Sequence, residues 1–147
     1  MLVCFDIDGT LADVSHRVHF WRQKPKNWSM FKSEMANDAP IEQIVTIARM
    51  MYKAGHTVIL CTGRSEDTRD LTEQWLFHHG VKFEKLYMRA EKDYRSDDII
   101  KLELLNQIVV DFGQKPDIVF DDRPRVVKMW RENGVFVADV YQGTEDF

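Results

Sequence analysis

Apolar positions along the chain fall into short solid runs separated by longer stretches with a helical repeat. Leu2 to Phe5, Thr57 to Cys61 and Ile118 to Phe120 are runs of strand length, and Lys85 to Met88 and Val135 to Val140 read as weaker ones. Between them, Ile41, Ile44, Val45, Ile47, Ala48 and Met51 recur at helical spacing from Pro40 to a stop at Gly55. Ile99, Ile100, Leu102, Leu105, Ile108 and Val109 do the same behind a Ser96 cap. Ser65 is expected to cap a helix with Glu66 and Asp67 in its first turn and an end near Gly80, and Pro124 to open another that reaches a stop at Gly134. Strands without clean alternation, followed by helices, predict an α/β fold: a parallel sheet with right-handed crossovers, covered on both faces in a three-layer, Rossmann-like arrangement.

One stretch breaks this rhythm. Ahead of Pro40, His16, Arg17, His19, Phe20, Trp21, Arg22, Lys24, Lys26, Trp28 and Phe31 crowd together, with short helical patterns at Ser15 to Gln23 and Trp28 to Met35 on either side of a Lys24-Pro25-Lys26-Asn27 break. Residues 12–39 are expected to form a small helical cap inserted between a strand and its helix. Trp21 or Trp28 could stack on a base and Arg17 could reach a phosphate, whereas Phe20, Trp21 and Phe31 also fit a miniature core of the insertion.

The chain has 147 residues, enough for one hydrophobic core and too few for two independent ones. With 44% hydrophobic and 30% charged residues it reads as globular, and a formal charge of −4 argues against a duplex binder driven by a basic surface. No apolar run approaches the roughly 20 residues that span a bilayer, and no signal peptide is evident, so a cytoplasmic protein is expected. Cys4 and Cys61 lie inside strand-like runs without metal-type spacing and read as buried free thiols.

Chemistry enters where the strands end. The first delivers Asp6 and Asp8 onto a turn made by Gly9 and Thr10; the second ends in Thr62-Gly63-Arg64; a later one ends in Asp121 and Asp122. In a doubly wound sheet these carboxyl ends lie side by side around a crevice. Several acids converging there repel one another unless a cation sits among them, and oxygen-only ligands favour a hard divalent ion such as Mg²⁺. A hydroxyl, a glycine amide and Lys101 beside that ion make an anion hole suited to phosphate. Each residue also has a plainer use: Asp8 or one of the Asp121-Asp122 pair could cap a turn or helix, and Arg64 and Lys101 could be solvated charges.

DIDGT, Thr62-Gly63-Arg64, Lys101 and Asp121-Asp122 resemble, in order, the four motifs of the haloacid dehalogenase (HAD) phosphotransferases. The longer strings, Arg17 after DIDGT, RSDDIIK from Arg95 to Lys101 and DDRPRVVKMWRENGV from Asp121, are similar to the 3′-phosphatase domain of polynucleotide kinase-phosphatases. That resemblance implies a phosphoric monoester hydrolase with Asp6 as nucleophile and Asp8 as general acid and base. Asp6, the Asp8 carbonyl and Asp121 or Asp122, with Asp122 favoured, would hold Mg²⁺. Thr62 and Lys101 would hold the phosphoryl oxygens. Asp97 would orient Lys101 from one helical turn away, and Arg17, Gly63 and Arg64 would meet the substrate.

The implied substrate is a 3′-phosphorylated DNA or RNA end or a nucleoside 3′-phosphate. Alternatives are a 5′-nucleotidase or small-metabolite phosphatase of the same superfamily, or a non-catalytic phosphoacceptor module, which would have no need of Asp8. No GxxxxGK[ST] phosphate loop occurs, so kinase activity is not expected of this chain. Neither membrane contact nor an obligate protein partner is evident, and a separate kinase or ligase could act alongside. Arg123, Arg125, Lys128 and Arg131 are read as a solvated face, and His78 and His79 as helix-end residues.

Overall fold

The computed structural model describes residues 1–143. In chain order these form β1 (Leu2–Phe5), β2 (Ala12–Asp13), α1 (Val18–Arg22), α2 (Trp28–Ser33), β3 (Ala39–Pro40), α3 (Glu42–Lys53), β4 (Thr57–Ser65), α4 (Arg69–His78), β5 (Lys85–Arg89), α5 (Asp97–Phe112), β6 (Ile118–Asp121), α6 (Pro124–Glu132) and β7 (Val137–Asp139). Short 3₁₀ turns at Glu34–Asn37 and Glu66–Thr68 complete the path.

The main sheet has five strands in the order β5-β4-β1-β6-β7, and every pairing is parallel. At its centre, Val3 lies opposite both Val58 of β4 and Ile118 of β6. Successive strand residues point to opposite faces. Val3 and Phe5 therefore join Val45, Leu60, Trp75 and Leu76 under α3 and α4, while Leu2 and Cys4 join Ile59, Leu105, Ile108, Val126 and Trp130 under α5 and α6. Covering both faces is why β1 is apolar without alternation, and burying each such side chain contributes about 1.5–3 kcal/mol. Phe5 and Phe120 stack with ring centroids 4.6 Å apart across the β1–β6 pair. Both cysteines are buried free thiols.

Element boundaries differ from the sequence expectation at identifiable bonds. Pro40 does not open a helix: it pairs with Ala12 in a two-stranded antiparallel ribbon, Ile41 donates its amide to the Leu11 carbonyl at 2.8 Å, and α3 starts at Glu42. Ser65 ends β4 and its hydroxyl turns to the Asp67 carboxylate rather than capping a helix, so a 3₁₀ turn precedes α4. Ser96 holds the N-cap position of α5 but makes no side-chain bond to the helix backbone. Ser15 donates both its amide and its hydroxyl to Asp13, which keeps α1 from starting before Val18. Asn27 caps α2 by accepting from the Met30 amide at 3.1 Å. Among the described residues, no helix is long and apolar enough to cross a membrane.

Candidate active site

β1 ends at Phe5, so Asp6 leaves the sheet at its carboxyl edge beside Asp121, the last residue of β6; the Asp6 amide still donates to the Phe120 carbonyl at 2.9 Å. From α5 the Lys101 ammonium reaches between them, 2.9 Å from Asp6 Oδ1 and 2.8 Å from Asp121 Oδ2. All three side chains are buried. Burial alone would strip Lys101 of its proton, but the charges of Asp121 and then Asp6 outweigh it and raise its pKa well above the ordinary lysine value.

Asp121 is saturated. Its Oδ2 also accepts from Trp130 Nε1 at 3.1 Å, and its Oδ1 accepts the amides of Asp122 at 2.9 Å and Arg123 at 3.3 Å. Asp122 accepts a 3.2 Å bond from the Thr10 hydroxyl. Asp6, Asp121 and Asp122 each offer an oxygen, all within 4.8 Å of one another. Burial first, and neighbouring acids after it, push Asp6 well above the usual carboxylate range and Asp122 up to about 6. Three carboxylates against one ammonium leave negative charge uncompensated, so the all-oxygen donor set fits a hard divalent cation. With Asp121 engaged on both oxygens, Asp6 and Asp122 are the acids left to hold it. Gly9, at φ +81°, makes this possible, because a Cβ there would stand 2.0 Å from Asp122 Oδ2.

Asp8 lies in a second network. Arg64 donates to Asp8 Oδ1 from Nη2 at 2.6 Å and from Nε at 3.1 Å, and Arg17 Nη2 adds a bond of 2.8 Å. Burial favours the neutral acid, yet Arg64 and Arg17 prevail and hold the Asp8 carboxyl well below the usual range. The arginines share a further partner that sequence reasoning missed. Asp38, buried at the return from the 3₁₀ turn, accepts from Arg17 Nε at 2.8 Å, Arg17 Nη2 at 3.0 Å and Arg64 Nη2 at 3.1 Å, and lies 2.7 Å from His16 Nε2. Arg64 Nη1 donates to Thr72 at 3.0 Å, whereas Arg17 Nη1 is buried with no hydrogen-bond partner among the described residues. The two expected substrate arginines are thus at the pocket, committed to Asp8 and Asp38.

The β4 end supplies the last wall. The β4–β5 register shifts between Cys61 and Ser65, and Thr62 Oγ1 accepts the Arg64 amide at 3.1 Å, leaving its own proton to donate. Arg89 donates to the Gly63 carbonyl at 2.8 Å and also binds Asp97. Asp97 bonds directly to Arg89 and, at 3.2 Å, to Arg123, and it acts on Lys101 through its charge, while Asp121 makes the direct bond to the ammonium. Arg123 is accordingly not part of a merely solvated face. A Cβ on Gly63 would stand 2.7 Å from Asp97 Oδ1, so this carboxylate packs on the loop rather than opening toward an anion. A lone Arg89 carries no local sequence signal; its role comes from the strand pairing.

The family model of the polynucleotide kinase PNKP phosphatase domain matches residues 1–147. A protein of Autographa californica nuclear polyhedrosis virus described as a bifunctional polynucleotide kinase/RNA ligase is 30% identical over 133 residues, which is 88% of this chain and 18% of that protein. A chain of the Pnkp1/Rnl/Hen1 RNA repair complex superposes with a TM-score of 0.79 at 30% identity, covering 97% of this chain and 43% of that one. The chain spans less than half the length of either relative. A haloacid dehalogenase-like hydrolase from Streptococcus pneumoniae, 14% identical with a TM-score of 0.67 over 94% of this chain and 83% of its own, shares the fold.

Proposed function

We propose, from the premise that this chain belongs to the polynucleotide kinase PNKP phosphatase-domain family and is a HAD phosphatase, that it removes terminal 3′-phosphates from DNA or RNA ends or from nucleoside 3′-phosphates. The observation that carries the reading is the buried chain of contacts from Asp6 through Lys101 to Asp121, beside Asp122. The residues fit a nucleophile held between one fixed cation and a site for a second.

In this mechanism Asp6 attacks phosphorus in line, the P–O bond to the leaving hydroxyl breaks, and an aspartyl phosphate forms. Asp8 gives its proton to the departing oxygen, then takes one from the water that hydrolyses the acyl phosphate. In the resting pocket Arg17 and Arg64 keep Asp8 ionised, which suits the second step but not the first. A substrate phosphate competes for the same guanidinium groups, and as they turn to it Asp8 loses the charges that depress its pKa and takes up from solvent the proton that it passes to the departing oxygen. The unpartnered Arg17 Nη1 is a donor that such an anion would satisfy. Thr62 and Lys101 hold phosphoryl oxygens, with Lys101 aimed by Asp121. Asp6 and Asp122, with the Asp8 main-chain carbonyl, would hold Mg²⁺, which when bound supplies charge compensation at the phosphoryl group. Residues 12–39 serve as the cap, since they deliver Arg17 and Asp38 to the pocket. A 3′-hydroxyl is the end a ligase joins, so the kinase and ligase named for the relatives are reasonable partners in sequence with this step.

The test is phosphate release with Mg²⁺ from a 3′-phosphorylated oligonucleotide, its 5′-phosphorylated counterpart, and nucleoside 3′- and 5′-monophosphates. The 3′-phosphates should be preferred, and Asp6→Asn should abolish turnover without unfolding the chain. Equal or better rates on 5′-monophosphates would point to a nucleotidase, and no release from any of them to a phosphoacceptor module.

A further inference from the structure

We propose that the outer face of the α1–α2 hairpin is a single-strand binding surface that holds the nucleotides 5′ to the reacting end, with Trp28 as the stacking platform and Lys26 as a backbone contact. The proposal deepens the 3′-end reading and rests on it for the direction of the strand. Three observations support it.

Charge is segregated. No Asp or Glu occurs between Asp13 and Glu34, while Arg17, Arg22, Lys24, Lys26 and Lys32 all fall there, in a chain whose formal charge is −4. Lys32 is tied to Asp67 at 2.7 Å and Arg17 belongs to the pocket, but Arg22, Lys24 and Lys26 are exposed. A polyanion approaching this acidic protein finds its favourable field here.

One aromatic on this face, Trp28, is presented to solvent. Trp28 is 49% exposed, whereas Trp75 and Trp130 are buried in the two cores. Lys26 Nζ lies 3.9 Å from the Trp21 ring centroid and 5.6 Å from that of Trp28, so two indoles flank one ammonium. Basic side chains interleaved with exposed rings are what a single strand uses, since every base has a face to stack and every linkage a charge to neutralise. An acidic peptide would use the charge and leave the rings idle.

The surface is also tied to the site through the interior. Arg17, bonded to Asp8, stacks its guanidinium 4.6 Å over the Phe31 ring, and Phe31 meets Trp28 edge-on at 6.0 Å. Phe31 is buried, so part of the expected miniature core exists, and it braces Trp28 while Phe20 and Trp21 remain only half-buried. Trp28 is thus held by the residue that packs on Arg17, which places the proposed platform on the same insertion that delivers Arg17 to the pocket.

The test compares wild type with Trp28→Ala, Trp28→Phe and Lys26→Ala. A 5′-labelled single-stranded oligonucleotide with a 3′-hydroxyl reports binding by anisotropy without turnover; a 3′-phosphorylated oligonucleotide and a nucleoside 3′-monophosphate report kinetics. Trp28→Ala should weaken oligonucleotide binding and raise its KM about tenfold with kcat unchanged, leave the mononucleotide unaffected, and be largely rescued by Trp28→Phe. Lys26→Ala should flatten the salt dependence of binding. Wild-type oligonucleotide affinity in both alanine variants would overturn the surface and leave the phosphatase reading intact. Trp28-dependent binding in a protein that hydrolyses no 3′-phosphate would support the surface and overturn that reading.

Discussion

Lys101 is bonded to Asp121 at 2.8 Å, and the two side chains lie together in the interior. The bond fixes the ammonium where it meets Asp6, so Asp121 acts on the proposed nucleophile through the lysine. Asp121→Asn should lower kcat about 100-fold or more and destabilise the fold by about 3–5 kcal/mol, because it leaves a buried charge undercompensated. Pairing it with Lys101→Met should recover part of that stability, as read from urea unfolding. Strictly additive losses would show that the two groups are not coupled.

Gly9→Ala tests the turn. Its φ of +81° and the 2.0 Å approach to Asp122 mean that a methyl group must displace the carboxylate. The variant should fold with a loss of about 1–3 kcal/mol from backbone strain and lose most of its stabilisation by Mg²⁺, measured as the metal-dependent rise in Tm. A wild-type Mg²⁺ response would remove Asp122 from the metal-binding set.

Asp6 and Asp122 both bind their protons more tightly in the folded chain than an unfolded one would, Asp122 with a pKa of about 6. Without metal, stability from these groups is therefore fullest below the ordinary carboxylate value near 4 and declines as pH rises through about 6. Mg²⁺ requires the deprotonated acids, so its stabilising effect should grow over the same interval. Thermal melts in EDTA and in Mg²⁺ should show a larger metal-induced shift at about pH 7.5 than at about pH 5; equal shifts would contradict the assignment.

Asp38→Asn removes one of two carboxylates that balance Arg17 and Arg64. The expected cost is about 3–5 kcal/mol, with impaired turnover because the guanidinium groups lose the brace that sets their reach. A variant with wild-type Tm and KM would mean that the arginines are positioned by Asp8 and Thr72 alone.

Much of this was legible in the sequence because the relevant signals are local. LVCFDIDGT holds strand, turn and both acids in one string, and β6 ending at Asp121 repeats that logic, whereas β4 runs on past Thr62 to Ser65. Asp38 and Arg89 were not legible: each matters through partners from distant elements, Arg17 and Arg64 for one, the Gly63 carbonyl and Asp97 for the other. For Asp97, helical spacing showed that it lies near Lys101 but not that Arg89 and Arg123, from other elements, would bond its oxygens. The early start expected for α3 failed because Pro40 had a strand partner that propensity does not reveal.

The central position of β1 has a consequence for how the protein is assembled. Val3 rests against Val58 on one side and Ile118 on the other, so the strand that leads to the proposed nucleophile has no sheet neighbour close to it in the chain. Its contacts are of high sequence separation, and closing such loops precedes any gain from them. The pocket should be among the last features to acquire native order during refolding, because it needs both β4 and β6 to be paired with β1 first.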